Sequence, residues 1–123
     1  MSGKTYVKVV QRRTGNILVE SARWCQSWLC KLRGFQFHRR LEPGEALILV
    51  EKEDTIAKSS IHMFFVFFPI AAIWINEQGR VTSAQLAKPW RPFYVSPAPA
   101  RYVLEAAPSL LDKVSVGDEI EFI

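Results

Sequence analysis

Chemistry has few places to reside in this 123-residue chain, which holds two histidines, His38 and His62, and two cysteines, Cys25 and Cys30. His62 stands at the head of an apolar run, Ser60 to Phe68 (SIHMFFVFF). An imidazole there is costly to bury unless it is hydrogen-bonded, so His62 is the first candidate for a ligand contact; the plainer reading is a satisfied structural histidine. Cys30 neighbours Lys31 and Arg33, cations that lower a thiol pKa. A Cys–His nucleophilic pair is one reading of it and a thiol placed by chance the other. No acid or cysteine stands at zinc-ligand spacing from either histidine, so the sequence predicts no metal and no cofactor. Glycine-rich phosphate loops, nucleophile elbows and closely spaced carboxylate pairs are absent, and no catalytic residue is identified.

Two further groups are candidates for binding. Trp90, Arg91, Phe93 and Tyr94 set aromatic faces beside a guanidinium on a segment stiffened by Pro89 and Pro92, a composition that stacks on a sugar, base or peptide or simply covers the open end of a sheet. Residues 1–40 carry Lys4, Lys8, Arg12, Arg13, Arg23, Lys31, Arg33, Arg39 and Arg40 against the single acid Glu20, within a net charge of +4. Such asymmetry marks either a nucleic-acid footprint or a solvated basic face. If one ligand site exists, Arg39, His62, Trp90 and Arg91 are the residues expected near it.

These residues need a frame. The length suits a single domain over 1–123, and 49% hydrophobic residues describe a globular chain. The apolar run 63–75 is too short to span a bilayer and is interrupted by Pro69, so no membrane span is expected. With no secretory segment in Met1 to Val10, the default location is cytoplasmic. Both alternating sets of residues 61–68 are apolar, which predicts a strand buried on both faces, followed after the Pro69 corner by a second strand over 70–76. Truncating Phe65 in such a strand is expected to cost about 3–5 kcal/mol. Gly79 closes a hairpin onto Arg80 to Ala87.

Earlier, Tyr6 to Val10 and Ile17 to Val19 form a hairpin about Gly15-Asn16. A short amphipathic helix is expected near residues 22–33, with Ser21 as N-cap and Gly34 as stop. On that helix Cys25 and Cys30 lie roughly 140° apart, which excludes a disulfide and a shared metal. A strand over 46–50 precedes a polar loop over 51–59, and five of seven prolines crowd into an irregular surface crossing and its sequel over 89–108. Residues 101–106 suit a strand or a helix, and 119–123 form a last strand. The fold class is mainly β (α+β), a compact barrel or sandwich-like core with one short helix.

Several motifs in this order resemble domain-of-unknown-function family 192. They are Leu32-Arg33-Gly34-Phe35 and the Arg40-Leu41-Glu42-Pro43-Gly44-Glu45 turn, then Ser60-Ile61-His62-Met63 through the Pro69-Ile70-Ala71 corner, Trp74-Ile75-Asn76 and Gly79-Arg80-Val81. Lys88-Pro89-Trp90-Arg91-Pro92, Arg101-Tyr102-Val103-Leu104-Glu105 and Val116-Gly117-Asp118 continue the likeness, which covers about residues 21–123. The resemblance implies a compact, mainly β fold and no established activity. Ala71 stands where members usually have Asp, and Phe35 where they usually have Leu, which puts in doubt any role built on that acid.

The leading functional reading is a non-enzymatic binding or accessory module with a small cleft for a small molecule or peptide. Weak nucleic-acid binding through residues 1–40 is the first alternative, and a hydrolase-like activity using His62 or Cys30 the second.

Overall fold

The apolar stretch IAAIWI forms a strand, Ile70–Ile75, in which every residue is buried, because both of its faces are covered. The computed structural model describes residues 5–123, so Lys4 of the basic group lies outside the described residues. Around this strand are β1 (Tyr6–Gln11), β2 (Ile17–Cys25), α1 (Trp28–Arg33), β3 (Leu47–Thr55), β4 (Ile70–Ile75), β5 (Val81–Ala87), β6 (Ala100–Ala106), a 3-10 turn (Pro108–Asp112) and β7 (Ile120–Phe122). One mainly β sheet results, in the order β5-β4-β6-β3-β2-β1-β7, curled into a half-barrel. All pairings are antiparallel except β2 with β3, whose crossover carries α1.

The curl brings the two edge strands together at one end. Ile120 N donates to Gly79 O at 2.7 Å and Val81 N to Asp118 O at 2.9 Å. Gly79 has φ +85°, and a Cβ there would lie 2.6 Å from Ile120 O, so both the turn and the close approach require glycine. One buried cluster draws on all seven strands, including Val9, Ala22, Ile48, Ile73, Val81, Leu104 and Ile120. The other joins Leu47, Ala72, Trp74 and Val103 of the sheet to Phe35, Ile61, Met63, Val66 and Tyr94, which come from the loops that cover it. Among the described residues no helix is long and apolar enough to cross a membrane.

Four sequence expectations are corrected here. Residues 61–68 are not a strand: Ile61 makes one bridge to Tyr94, and Met63 to Val66 form a turn closed by Val66 N to Met63 O at 3.2 Å. Phe64, Phe65 and Phe67 are consequently exposed, and only Ile61, Met63 and Val66 of the run are buried. Alternation could not reveal this, since a run that is apolar throughout reads the same whether it is sandwiched or lies as a cover with half its rings outward. Phe65→Ala should therefore cost only about 1 kcal/mol, the scale of aromatic pairing, and a denaturation midpoint far below the parent's would contradict its placement. The 51–59 loop is also revised, because β3 runs on to Thr55. Residues 101–106, ambiguous in sequence, lie in β6.

The third and fourth corrections are linked. The helix is six residues long, starts at Trp28 with Ser27 rather than Ser21 as its cap, and ends as expected at Gly34. Residues 22–25 belong to β2, where pairing to β1 and β3 overrides their helical spacing. Cys25 thus sits at a strand end and Cys30 on the helix, and the intervening bend lets them form a disulfide with Cα atoms 5.6 Å apart. A helix this short is marginal alone, and α1 buries none of its residues. The bridge and Lys31 Nζ, which donates to Glu51 Oε2 at 3.0 Å and Val50 O at 3.2 Å, hold it on the sheet. Reduction should lower stability by about 2 kcal/mol from loop entropy. Denaturant unfolding with and without reductant measures this, and superimposable curves would show that the bridge constrains nothing.

Candidate functional site

β6 alternates sides, so Leu104 and Ala106 enter the seven-strand cluster while Val103 and Glu105 point to the covered face. Glu105 is 5% exposed and ends at a cavity of about 70 Å³ between α1, the Gly34–Gln36 turn and the Ser59–Val66 segment. Gly34 brings the backbone close above it; a Cβ there would lie 3.6 Å from Glu105 Oε1. Burial pushes the Glu105 carboxyl up to about 7, with no donor or cation among the described residues offsetting it. Lys31, Leu32, Glu51, Lys58 and His62 line both this inner cavity and a shallow outer depression of about 620 Å³. The result is a two-stage cleft: a wide mouth carrying Lys31, Glu51, Lys58 and His62, and a narrow end carrying an acid without an ion pair among the described residues.

The four residues expected at a common site are not gathered into one cavity. His62 lies at the mouth just described and accepts a hydrogen bond at Nδ1 from Phe64 N at 3.3 Å. Arg39 borders a separate depression with His38, Glu42 and Glu45. Trp90 and Arg91 line neither, but their loop is clipped to the His62 segment: Trp90 N donates to Met63 O at 2.9 Å, and Met63 N to Arg91 O at 3.0 Å. The Arg91 guanidinium rests 4.5 Å from the centre of the Tyr94 ring. Cys30, the proposed nucleophile, is spent in the disulfide. Of the basic residues in 1–40, Arg12, Lys31 and Arg40 are ion-paired, to Glu119, Glu51 and Glu42. Glu105 was not among the candidates read from the sequence; its one signal was an acid in the otherwise apolar YVLEA segment.

Outside the cleft the covering loops present aromatic rings. Phe37 stacks on Phe65 at 4.9 Å, Trp90 packs on Phe65 at 4.9 Å and on Phe67 at 5.7 Å, and Phe64 meets Phe93 edge-on at 6.4 Å. All six are exposed. Phe37, Phe65 and Trp90 are also the non-glycine residues with positive φ among those described, at 66°, 58° and 65°. Each stands third in a four-residue turn, 35–38, 63–66 and 88–91, where glycine or asparagine is usual. Holding an aromatic residue there costs roughly 1–2 kcal/mol per position. Trp90→Gly should accordingly stay within about 1 kcal/mol of the parent, lost ring contacts being offset by released backbone strain. A loss above about 3 kcal/mol on denaturation would instead make Trp90 a core residue.

Half-barrel sheet, covering loops and acid-floored cleft together define a small β domain, and comparison with known proteins places it. The profile of domain-of-unknown-function family 192 (DUF192, described as uncharacterized ACR) matches residues 9–122, and the chain belongs to that family. A UPF0127 protein of Pyrococcus abyssi is 37% identical over 93 residues, covering 74% of this chain and 78% of its own. A UPF0127 protein of Thermococcus sibiricus is 26% identical over 116 residues, 93% of this chain and 73% of its own. The fold is shared with a Sinorhizobium meliloti protein described as a "putative transcription regulator" (TM-score 0.82, 19% identity, 98% of this chain and 94% of that one). It is shared too with a protein of unknown function from Novosphingobium aromaticivorans (TM-score 0.79, 19% identity, 96% and 84%). Ala71, where the resemblance leads one to expect Asp, is fully buried in the seven-strand cluster, on the face opposite Glu105. The cleft is therefore untouched by that departure.

Proposed function

We propose that the protein is a non-enzymatic binding module whose cleft takes a small molecule or peptide through a group that donates hydrogen bonds to Glu105. The observation that carries this is a carboxyl buried by the fold, open to a cavity and without a hydrogen-bond or ion-pair partner among the described residues. An unpaired buried acid is unfavourable, and a ligand ammonium, guanidinium or amide N–H removes the penalty. The inner cavity holds only a few atoms, so the donor group enters and the rest of the ligand lies in the outer depression. There Lys58 and His62 face it beside Glu51, Glu53 and Asp54, a polar wall of mixed charge. Arg39, Trp90 and Arg91 sit on the loops that brace the cleft from outside.

A carboxyl titrating near neutrality beside a cavity is also a candidate acid or base. Binding is the better reading because nucleophiles are wanting: Cys30 is bridged, and the Ser59 and Ser60 hydroxyls donate to backbone carbonyls of Thr55 and Ile56. A disulfide persists in oxidising surroundings and is rare in a reducing cytosol, which weighs against the cytoplasmic placement expected from the sequence.

The test is a thermal-shift series with small amines, amino acids and short peptides on the parent and on Glu105→Gln. Amine-bearing probes should raise Tm in the parent, more strongly as pH rises through about 7 and the acid ionises, and should have no effect on Glu105→Gln. Equal shifts in both proteins would refute a role for Glu105.

A further inference from the structure

We propose that the aromatic face built by Phe37, Phe65, Phe67 and Trp90 docks on a lipid bilayer with anionic headgroups, independently of the Glu105 cleft. Three separate turns hold Phe37, Phe65 and Trp90 at positive φ, and those three rings meet one another in one exposed ladder. Backbone strain in three loops that converges on one surface patch points to a use for the patch, since burial cannot be its reason.

Charge selects the occupant. The loops that carry the rings, residues 34–41, 61–69 and 88–95, hold Arg39, Arg40, Lys88 and Arg91 and not one Asp or Glu. Arg40 is paired with Glu42, while Arg39, Lys88 and Arg91 make no ion pair among the described residues. Apolar rings on loops that also carry cations without an ion pair among the described residues match the boundary of an anionic bilayer, where aromatic side chains lodge at headgroup depth and basic residues are drawn to the surface.

Other occupants fit less well. Bases stack on free ring faces, but here Phe37 lies on Phe65 with planes 24° apart, and Trp90 packs on both Phe65 and Phe67, so the rings engage each other. Partition into an interface depends on apolar area and needs no open ring face. A second copy of the chain would bring the same cations to the shared interface, where like charges oppose association.

The experiment is vesicle co-sedimentation of the full chain with phosphatidylcholine vesicles and with vesicles of equimolar phosphatidylcholine and phosphatidylglycerol. Binding is expected to the anionic vesicles only and to fall with added salt. Arg91→Ala should weaken it about fivefold, and the double variant Phe65→Gly, Trp90→Gly about tenfold or more. Glycine suits both turns, so the double variant keeps its fold, which circular dichroism verifies. Absence of binding to the anionic vesicles, or equal binding by the folded double variant, overturns the proposal. So does binding to an oligothymidine or self-association that depends on the same two rings while vesicles are ignored.

Discussion

Trp74→Ala is expected to lower the unfolding free energy by about 3–5 kcal/mol, the cost of emptying a large site in a packed interior. Trp74 is fully buried on β4, within the cluster that joins sheet to covering loops. Its indole also works as a tether, because Nε1 donates to Ser59 O at 2.7 Å and so fixes the segment that enters the His62 wall. Truncation leaves a cavity and an unpaired buried carbonyl together, whereas Trp74→Phe fills most of the volume and loses mainly the hydrogen bond, about 1 kcal/mol with any penalty of the orphaned carbonyl added. Urea unfolding of the two variants beside the parent separates packing from tether. If Trp74→Ala costs under about 1 kcal/mol, the covering loops are not seated on β4 as described.

Glu105→Gln should make the protein more stable above neutral pH and remove a pH dependence that runs opposite to ordinary acid denaturation. In the folded chain burial raises the carboxyl from 4.5 to about 7. Between those values the folded state holds a proton that the unfolded state has released, so stability falls as pH rises. The favourable contribution is complete below about 4.5 and is lost through about 7. A shift of this size corresponds to something on the order of 3 kcal/mol, a large share of the stability of a small domain. Denaturation midpoints across that window should decline in the parent and stay level for Glu105→Gln. A parent profile that is flat, or that rises with pH, would mean that Glu105 is ionised and paired. A bound ammonium ligand should flatten the parent profile by neutralising the same charge, linking this measurement to the thermal-shift series.

Much of the frame was legible in the residues. The six-residue apolar stretch of β4, the Asn76–Arg80 turn, the pairing of β4 with β5 and the Gly34 helix stop all follow from local signals: continuous burial, a turn glycine and basic residues in the last helical turn. Motif order alone pointed to the family. The candidate site was far less legible. His62 stood out because an imidazole in an apolar run is conspicuous, and it does line the cavity; Glu105, which lines it too, did not stand out, because an acid near the end of a strand looks like an exposed residue until its face of the sheet is known.

By itself, then, the sequence determined the mainly β class, the family and the central hairpin, because these depend on contacts and patterns that are local in the chain. Tertiary structure alone decided which face of β6 is covered, and so that Glu105 is buried beside a cavity while Ala71 lies in the opposite core. It also decided that Cys25 belongs to a strand and can reach Cys30, and that residues 61–68 lie across the sheet instead of joining it. The physical reason is the same in each case. An apolar or ionisable side chain has an intrinsic cost of burial or exposure, but the partner that sets its environment is brought there by strands and loops tens of residues away, and no spacing within the local segment encodes that approach.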